Sequence, residues 1–386
     1  MGKRKTTRKK YYNFIFLFCI IIFTTILSSC SQEKESEPHS DIEEKDIGKN
    51  PPAPSFWDEQ AITPIKIPDG AFNRVNGWID NETVLFTTNL SQGSNVYTYN
   101  LRSGESSLLY ESRNPIVDVH ISPSKRQFLI HSAPSTYAGV ITVLDRSGKE
   151  TFSKQIESFE LALEWNPYDV NAILVSSFAE DWTYSTYLLN VSGGELTKVN
   201  LPEPFAHWLN NKELVFLDWD ENNPGLLAPL VKKEIDKPGE TALFENIIEV
   251  STFKNLLITV SVNREKPDQA IYTFLSNDLK KVASISFPHL STFSGWLVPH
   301  FDFMETARRF ITFRPLSSGE ADNYASGFQL VSHDLKSGDE TIYFQGMDNE
   351  PISCSPDGMM CLVGYQLEKL LILNAKKVIP LTKTDV

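Results

Sequence analysis

Arg102-Ser103-Gly104-Glu105, Arg146-Ser147-Gly148-Lys149, Val191-Ser192-Gly193-Gly194 and Lys237-Pro238-Gly239-Glu240 follow one another at intervals of 44, 45 and 46 residues. Lys336-Ser337-Gly338-Asp339 comes 99 residues later, about two periods on, with a degenerate turn at Asn277-Asp278 between them. Each is a polar turn between two short runs rich in β-branched and aromatic residues, and such a fixed spacing is the signature of a repeated unit. A second set of turns runs in phase with the first: Trp78-Ile79-Asp80-Asn81, Ser122-Pro123-Ser124-Lys125, Trp165-Asn166-Pro167-Tyr168, Trp208-Leu209-Asn210-Asn211 and Ser355-Pro356-Asp357-Gly358. These lead into strongly apolar strands, seven in all: Val84-Leu85-Phe86, Phe128-Leu129-Ile130, Ile173-Leu174-Val175, Leu214-Val215-Phe216, Leu256-Leu257-Ile258, Phe310-Ile311-Thr312 and Cys361-Leu362-Val363.

One unit of this kind is a four-stranded antiparallel meander of about 40 to 55 residues, the size of a propeller blade. Both faces of such a sheet are apolar, and neither is buried by the unit alone. Neighbours packed face to face around an axis bury both faces and leave only short edges exposed. The fold expected is therefore all-β, a β-propeller of four-stranded antiparallel blades, with seven blades counted and six as the alternative. A β-sandwich supplies no reason for matching turns at this spacing. Two segments compete to close the ring: Ile62-Thr63-Pro64-Ile65-Lys66-Ile67 could complete the last blade, and Lys377-Val378-Ile379-Pro380-Leu381 could do so instead.

Ser355-Pro356-Asp357-Gly358, followed by Met359-Met360-Cys361-Leu362-Val363, resembles the repeat of TolB-like propellers, and Ser122-Pro123-Ser124-Lys125 is a weaker copy. The whole layout, an export signal with a cysteine followed by an acidic tether and a propeller, resembles the YqgU-type lipoproteins of bacilli. That resemblance implies six blades as readily as seven, because TolB-like domains often have six.

The N-terminal part is read from its residues. Lys3, Arg4, Lys5, Arg8, Lys9 and Lys10 precede an uncharged apolar run from Tyr11 to Leu27, and then come Ser28, Ser29 and Cys30. A basic region, an apolar region and small residues before a cysteine form an export signal with a lipobox. The expected organisation is a signal peptide over 1–29, a lipidated cysteine and disordered tether over 30–54, and a propeller over 55–386. An uncleaved transmembrane anchor is the rival, but it has no need of small residues and a cysteine at that place. Buried methylenes contribute roughly 0.8 kcal/mol each, so two or three acyl chains on Cys30 hold a protein firmly where one does not. Residues 31–54 are rich in Glu, Lys, Ser and Pro and nearly free of large apolar side chains. A segment of that composition cannot offset its ordering entropy, and it spans roughly 25–30 Å as a flexible chain.

Without the six basic residues of the signal the chain keeps 30 Lys and Arg against 49 Asp and Glu. A formal charge near −19 argues against nucleic acid and against adhesion to anionic lipid. The expected place is the outer, extracytoplasmic face of the cell membrane, held through a diacylglycerol-type anchor. Of the four cysteines, Cys19 lies in the signal and Cys30 carries the lipid. Cys354 and Cys361 flank a turn that, with a three-residue loop, sets Cys354 opposite Met360 and turns the two thiols to opposite faces. A shifted register pairs them as a disulfide. Both readings are open at this stage.

In a propeller the innermost strand of each blade lines the axial channel. The strand ahead of each apolar one carries Asn76, then Asp118 and His120, Glu160 and Glu164, His207, Glu249, and His300 and Asp302. Carboxylates and imidazoles are donors for a divalent cation or a cationic ligand, and they are equally the polar lining that a water-filled channel needs. No further cofactor is indicated. Asp218-Trp219-Asp220-Glu221-Asn222 begins like a calcium loop, but Asn223 and Pro229 stand where that loop needs Gly and Glu. The in-phase Trp78, Trp165 and Trp208 read as packing residues more than as a sugar platform. No nucleophile elbow, P-loop, zinc-protease motif or dinucleotide fingerprint occurs. Two functions remain: a non-catalytic binding or scaffold module for a protein, peptide or envelope ligand, and a metal-dependent propeller enzyme acting on lactones or glycans.

Overall fold

The computed structural model describes residues 62–220 and 225–382. The signal, Cys30 and the tether lie outside the described residues. Among those described, every long element is a strand, and consecutive strands pair antiparallel as meanders. Blade 1 spans 71–112, blade 2 116–157, blade 3 160–199, blade 6 301–347 and blade 7 352–380, each a separate four-stranded sheet. Blades 4 and 5, over 207–288, form one seven-stranded sheet because they share the long strand Thr241–Phe253. Its first half pairs with Ala228–Glu234 as the outer strand of blade 4. Its second half pairs with Leu256–Val262 as the inner strand of blade 5. The register shifts between Ile247 and Glu249, and Asn246 takes a left-handed φ of 62°, so the strand bends where it passes from rim to axis.

Position in the blade accounts for the burial of each strand. The second strands lie between neighbouring strands and under neighbouring blades, and Met360–Val363 and most of Ala172–Phe178 are buried throughout. Such double burial selects an unbroken apolar run. Outer strands such as Glu150–Glu157 have one wet face and alternate accordingly. Seven buried clusters join the blades in series, each drawing on two neighbours, and the last joins blade 7 to blade 1 through Val75, Trp78, Phe86, Met360, Leu362 and Leu370. Among the described residues, strand pairing and core packing thus give seven blades.

The competition for ring closure resolves in favour of the C-terminal segment. Lys377–Pro380 is the outer strand of blade 7, paired with Lys369–Ile372, so every blade is built from consecutive strands. Ile62 and Ile65 do not complete a blade. They are buried in the cluster between blades 1 and 7, and the Ile65 N–H donates to the Leu381 carbonyl at 2.6 Å. Trp78 adds a staple at the same seam, its indole N–H donating to the Ser353 carbonyl at 2.9 Å. Trp208 makes the equivalent bond back to the Glu164 carbonyl at 3.2 Å, whereas Trp165 bonds within its own loop, to Val170. The tryptophan series is a packing and stapling device.

The 99-residue interval has a structural cause. A small additional sheet is made of Leu290–Thr292 and Gly295–Leu297, from the link between blades 5 and 6, and Gly319–Glu320, from the connection between the second and third strands of blade 6, which pairs parallel to Leu290–Thr292. The cysteine register also departs from the three-residue-loop reading. Cys354 pairs with Cys361, and the two are joined as a disulfide. Ser355 and Met360 close the turn, with the Ser355 N–H on the Met360 carbonyl and the Met360 N–H on Ser355 Oγ. Asp357 Oδ1 accepts the Met359 N–H and so draws that residue into the loop. The loop is one residue longer than Ser-Pro-Asp-Gly alone suggests, which brings both thiols to one face.

Candidate functional site

The first strands of the blades stand side by side around the axis, and the sequence-derived candidates divide into three groups there. The central group is Glu164, His207 and Glu249, on the inner strands of blades 3, 4 and 5. His207 Nδ1 lies 3.3 Å from Glu164 Oε1. The imidazole is recessed, yet 32% of its side-chain surface reaches water, as a group lining a wet channel should. Burial works against its charged form, but the hydrogen bond and charge of Glu164, with the charge of Glu249, outweigh that and hold His207 above its ordinary range. Burial raises the Glu249 carboxyl, with the charge of His207 opposing. Phe205, Trp219 and Glu203 complete a recess of about 370 Å³ around His207 and Glu249.

The second group is on blade 2. Asp118 Oδ2 lies 3.1 Å from His120 Nε2, and Asp118 Oδ1 accepts the Val119 N–H at 2.8 Å. Burial pushes the Asp118 carboxyl upward, but His120, the Val119 N–H and Arg74 together bring it below the usual range. His131, buried and paired across the strands with Asp118, is driven down by burial, with the charge of Asp118 acting against it.

The third group gathers at the end of the channel where the inner strands turn outward. A recess of about 500 Å³ there draws on blades 1, 2, 3, 5, 6 and 7. Asp302 lies in its wall, but both carboxylate oxygens are occupied: Oδ1 accepts the Phe303 N–H and Oδ2 the Cys354 N–H, each at 2.7 Å. It ties blade 6 to blade 7. Burial raises its carboxyl, opposed by those two N–H groups and by Lys125. Lys125 and Glu305 belong to this mouth and were missed in the sequence. Burial lowers the Lys125 ammonium, with Asp302 and Glu305 acting against it. A signal for Lys125 does exist. It occupies the place that blade 7 fills with Gly358, with φ values of 58° and 70°, and Ser122 closes its turn with Gln127 just as Ser355 does with Met360. A lysine held where glycine is at ease marks a position that needs its side chain.

The remaining candidates stand apart. Asn76 spends its amide on Thr87 Oγ1 at 3.3 Å and on the Arg74 carbonyl. Glu160 is exposed at the start of its strand, and His300 is exposed just before Phe301–Met304, its N–H donating to Asn349 Oδ1. Burial lowers the His300 imidazole. Among the described residues no three His, Cys, Asp or Glu side chains come together in a cluster able to hold a metal ion. The channel chemistry is that of paired carboxylates and imidazoles.

Relatives share this layout. A protein of Bacillus subtilis (strain 168) described as "Uncharacterized lipoprotein YqgU" is 24% identical over 359 residues, covering 92% of this chain and 94% of that protein. The crystal structure of an uncharacterised protein from Listeria monocytogenes EGD-e superposes with a TM-score of 0.77 at 22% identity, over 85% of this chain and 99% of its own. An oligogalacturonate lyase from Vibrio parahaemolyticus shares the fold more distantly, with a TM-score of 0.57 at 11% identity over 78% of this chain and 89% of its own. The model of the YqgU-like 6-bladed β-propeller domain matches residues 100–364, from the end of the third strand of blade 1 to just past the second strand of blade 7, so that five blades lie wholly within it. The chain therefore belongs to the YqgU-like β-propeller family.

Proposed function

We propose that this protein is a lipid-anchored binding module on the outer face of the cell membrane, and that its channel holds a ligand through a cationic group. The lipobox ending at Cys30 supports the anchor, as does the description of the Bacillus subtilis relative as a lipoprotein. Residues 1–29, 30–54 and 55–386 serve as signal, tether and ligand-binding body. The observation that carries the binding role is the Glu164–His207–Glu249 arrangement. Glu164 lies 3.3 Å from the His207 imidazole, and Glu249, from a third blade, shares with that imidazole a recess edged by Phe205 and Trp219. Carboxylates and aromatic faces are the groups that hold a protonated amine or guanidinium. No step of bond making or breaking is assigned to these residues.

Two measurements test this. Radiolabelled palmitate should enter the chain in its bacterial host, and Cys30→Ala should abolish both the label and recovery in the membrane fraction. Tetralysine titrated into the purified chain should bind with an affinity that falls at least tenfold in Glu249→Gln and in Glu164→Gln. Equal affinity in wild type and both variants would rule the channel out as the site.

A further inference from the structure

Away from the channel carboxylates, the face carrying the turns between second and third strands presents a line of aromatic rings. Tyr137 and Trp182 sit at those turns in blades 2 and 3, Phe159 in the link between the two blades, and Phe205 just ahead of the inner strand of blade 4. These residues are 58%, 60%, 39% and 63% exposed, far more than rings placed for packing alone. They are nevertheless ordered against each other. Ring centroids lie 6.4 Å apart for Tyr137–Phe159, 6.1 Å for Phe159–Trp182 and 6.0 Å for Phe178–Trp182, and Phe205 stacks on the buried Phe178 at 5.7 Å. The line runs without a break from blade 2 to the edge of the channel recess.

Trp182 is the most informative member. Its φ is 65°, a left-handed conformation that a bulky side chain rarely adopts. A tight turn holds it there, with the Trp182 N–H on the Ala179 carbonyl and Asp181 Oδ1 accepting from both the N–H and the hydroxyl of Thr183. Glycine would serve this turn better. The strain is carried by a residue whose indole faces water, which points to a use for the indole.

Tyr137 and Phe159, with Phe178, line an open groove of about 650 Å³, whose other lining groups include Glu157, Glu180, Ser158 and Thr183 and no Lys or Arg, and Trp182 packs against Phe159 and Phe178 beside it. Tyr137 donates its hydroxyl to Glu180 Oε2 at 3.3 Å, which fixes one carboxylate beside one ring. Flat apolar faces edged by carboxylates and hydroxyls complement a pyranose ring, with its apolar C–H face and its rim of hydroxyls. The acidic edge repels polyanions and anionic lipid.

We propose that this strip binds a neutral oligosaccharide chain, its sugar rings stacked on Trp182 and Phe159 and its hydroxyls hydrogen bonded to Glu157 and Glu180. None of Trp182, Phe159, Glu157 and Glu180 lines the channel recess, so the ligand of the strip does not need Glu249 or His207. Titration calorimetry of the purified full-length chain in detergent with chitohexaose and with cellohexaose tests it. At least one should bind, polygalacturonate should not, and Trp182→Ala and Phe159→Ala should each weaken binding at least tenfold. Trp182→Gly should weaken it equally while leaving the melting temperature unchanged or raised, an outcome that a structural role for the indole does not allow. Glu249→Gln should bind the sugar as wild type does. Absence of binding at millimolar sugar, wild-type affinity in both Trp182 variants, or Trp182-dependent adhesion to phosphatidylglycerol–phosphatidylethanolamine vesicles in place of sugar binding would overturn the proposal.

Discussion

At the scale of the residue, His207 and two turn glycines make the sharpest statements. Because Glu164 and Glu249 hold His207 above its ordinary value against the cost of burial, the folded chain binds that proton more tightly than the unfolded chain. The stabilisation is complete below about pH 6.5, the unfolded value, and is lost as pH rises through the folded one. Denaturant unfolding between pH 5.5 and 9 should show stability falling over that window, and His207→Gln should remove the slope. Tetralysine should bind more tightly as pH rises through the same window, since the imidazolium then leaves the carboxylates to the ligand. The glycines separate two causes that the sequence merges. Gly148 and Gly338 close equivalent turns, with φ of 85° and 80°. A Cβ on Gly148 would lie 2.0 Å from the Leu109 carbonyl oxygen of blade 1, whereas a Cβ on Gly338 would meet nothing within 4 Å. Gly338→Ala should cost only the conformational strain, about 1–2 kcal/mol. Gly148→Ala should cost distinctly more, because the outer turn of blade 2 must also move off blade 1.

At the scale of the element, the turns are the most legible part of the sequence and also hold an ambiguity that it leaves open. Ser-Gly turns between third and fourth strands reveal the repeat in blades 1, 2, 3 and 6, and the apolar strands reveal it in every blade, because all seven occupy the second position. The Ser355 turn is ambiguous from residue types alone. Its length depends on whether Asp357 captures the Met359 N–H and Ser355 Oγ the Met360 N–H, which are local side-chain hydrogen bonds that periodicity does not report. Likewise the strand Thr241–Phe253 serves two blades in one continuous run and leaves no turn between them to find. The disulfide closes a loop with a sequence separation of 7. By loop-closure entropy it is worth about 2–3 kcal/mol. The paired Cys354→Ser and Cys361→Ala change should lower unfolding stability by that amount without altering the blade count, as denaturation with and without reductant can check.

At the scale of the whole molecule, ring architecture turns an acidic, repetitive chain into a site. Alternation along the first strands marks Asp118, His120, Glu164, His207 and Glu249 as channel candidates, because a wet axis demands polar side chains there, and the structure places all five on first strands. It could not tell that Asp302 is occupied by the Phe303 and Cys354 N–H groups, that Asn76 is taken by Thr87, or that Lys125 lines the recess at the channel mouth. Those facts depend on which blades are neighbours and on loop conformation, and both are set by packing across the ring. A crystal structure of the chain soaked with tetralysine tests the account most directly. An ammonium group should stand between Glu164 and Glu249 beside His207, with Phe205 or Trp219 against its methylenes. Tetralysine bound only elsewhere, or an unaltered channel in crystals where calorimetry shows saturation, would contradict the account.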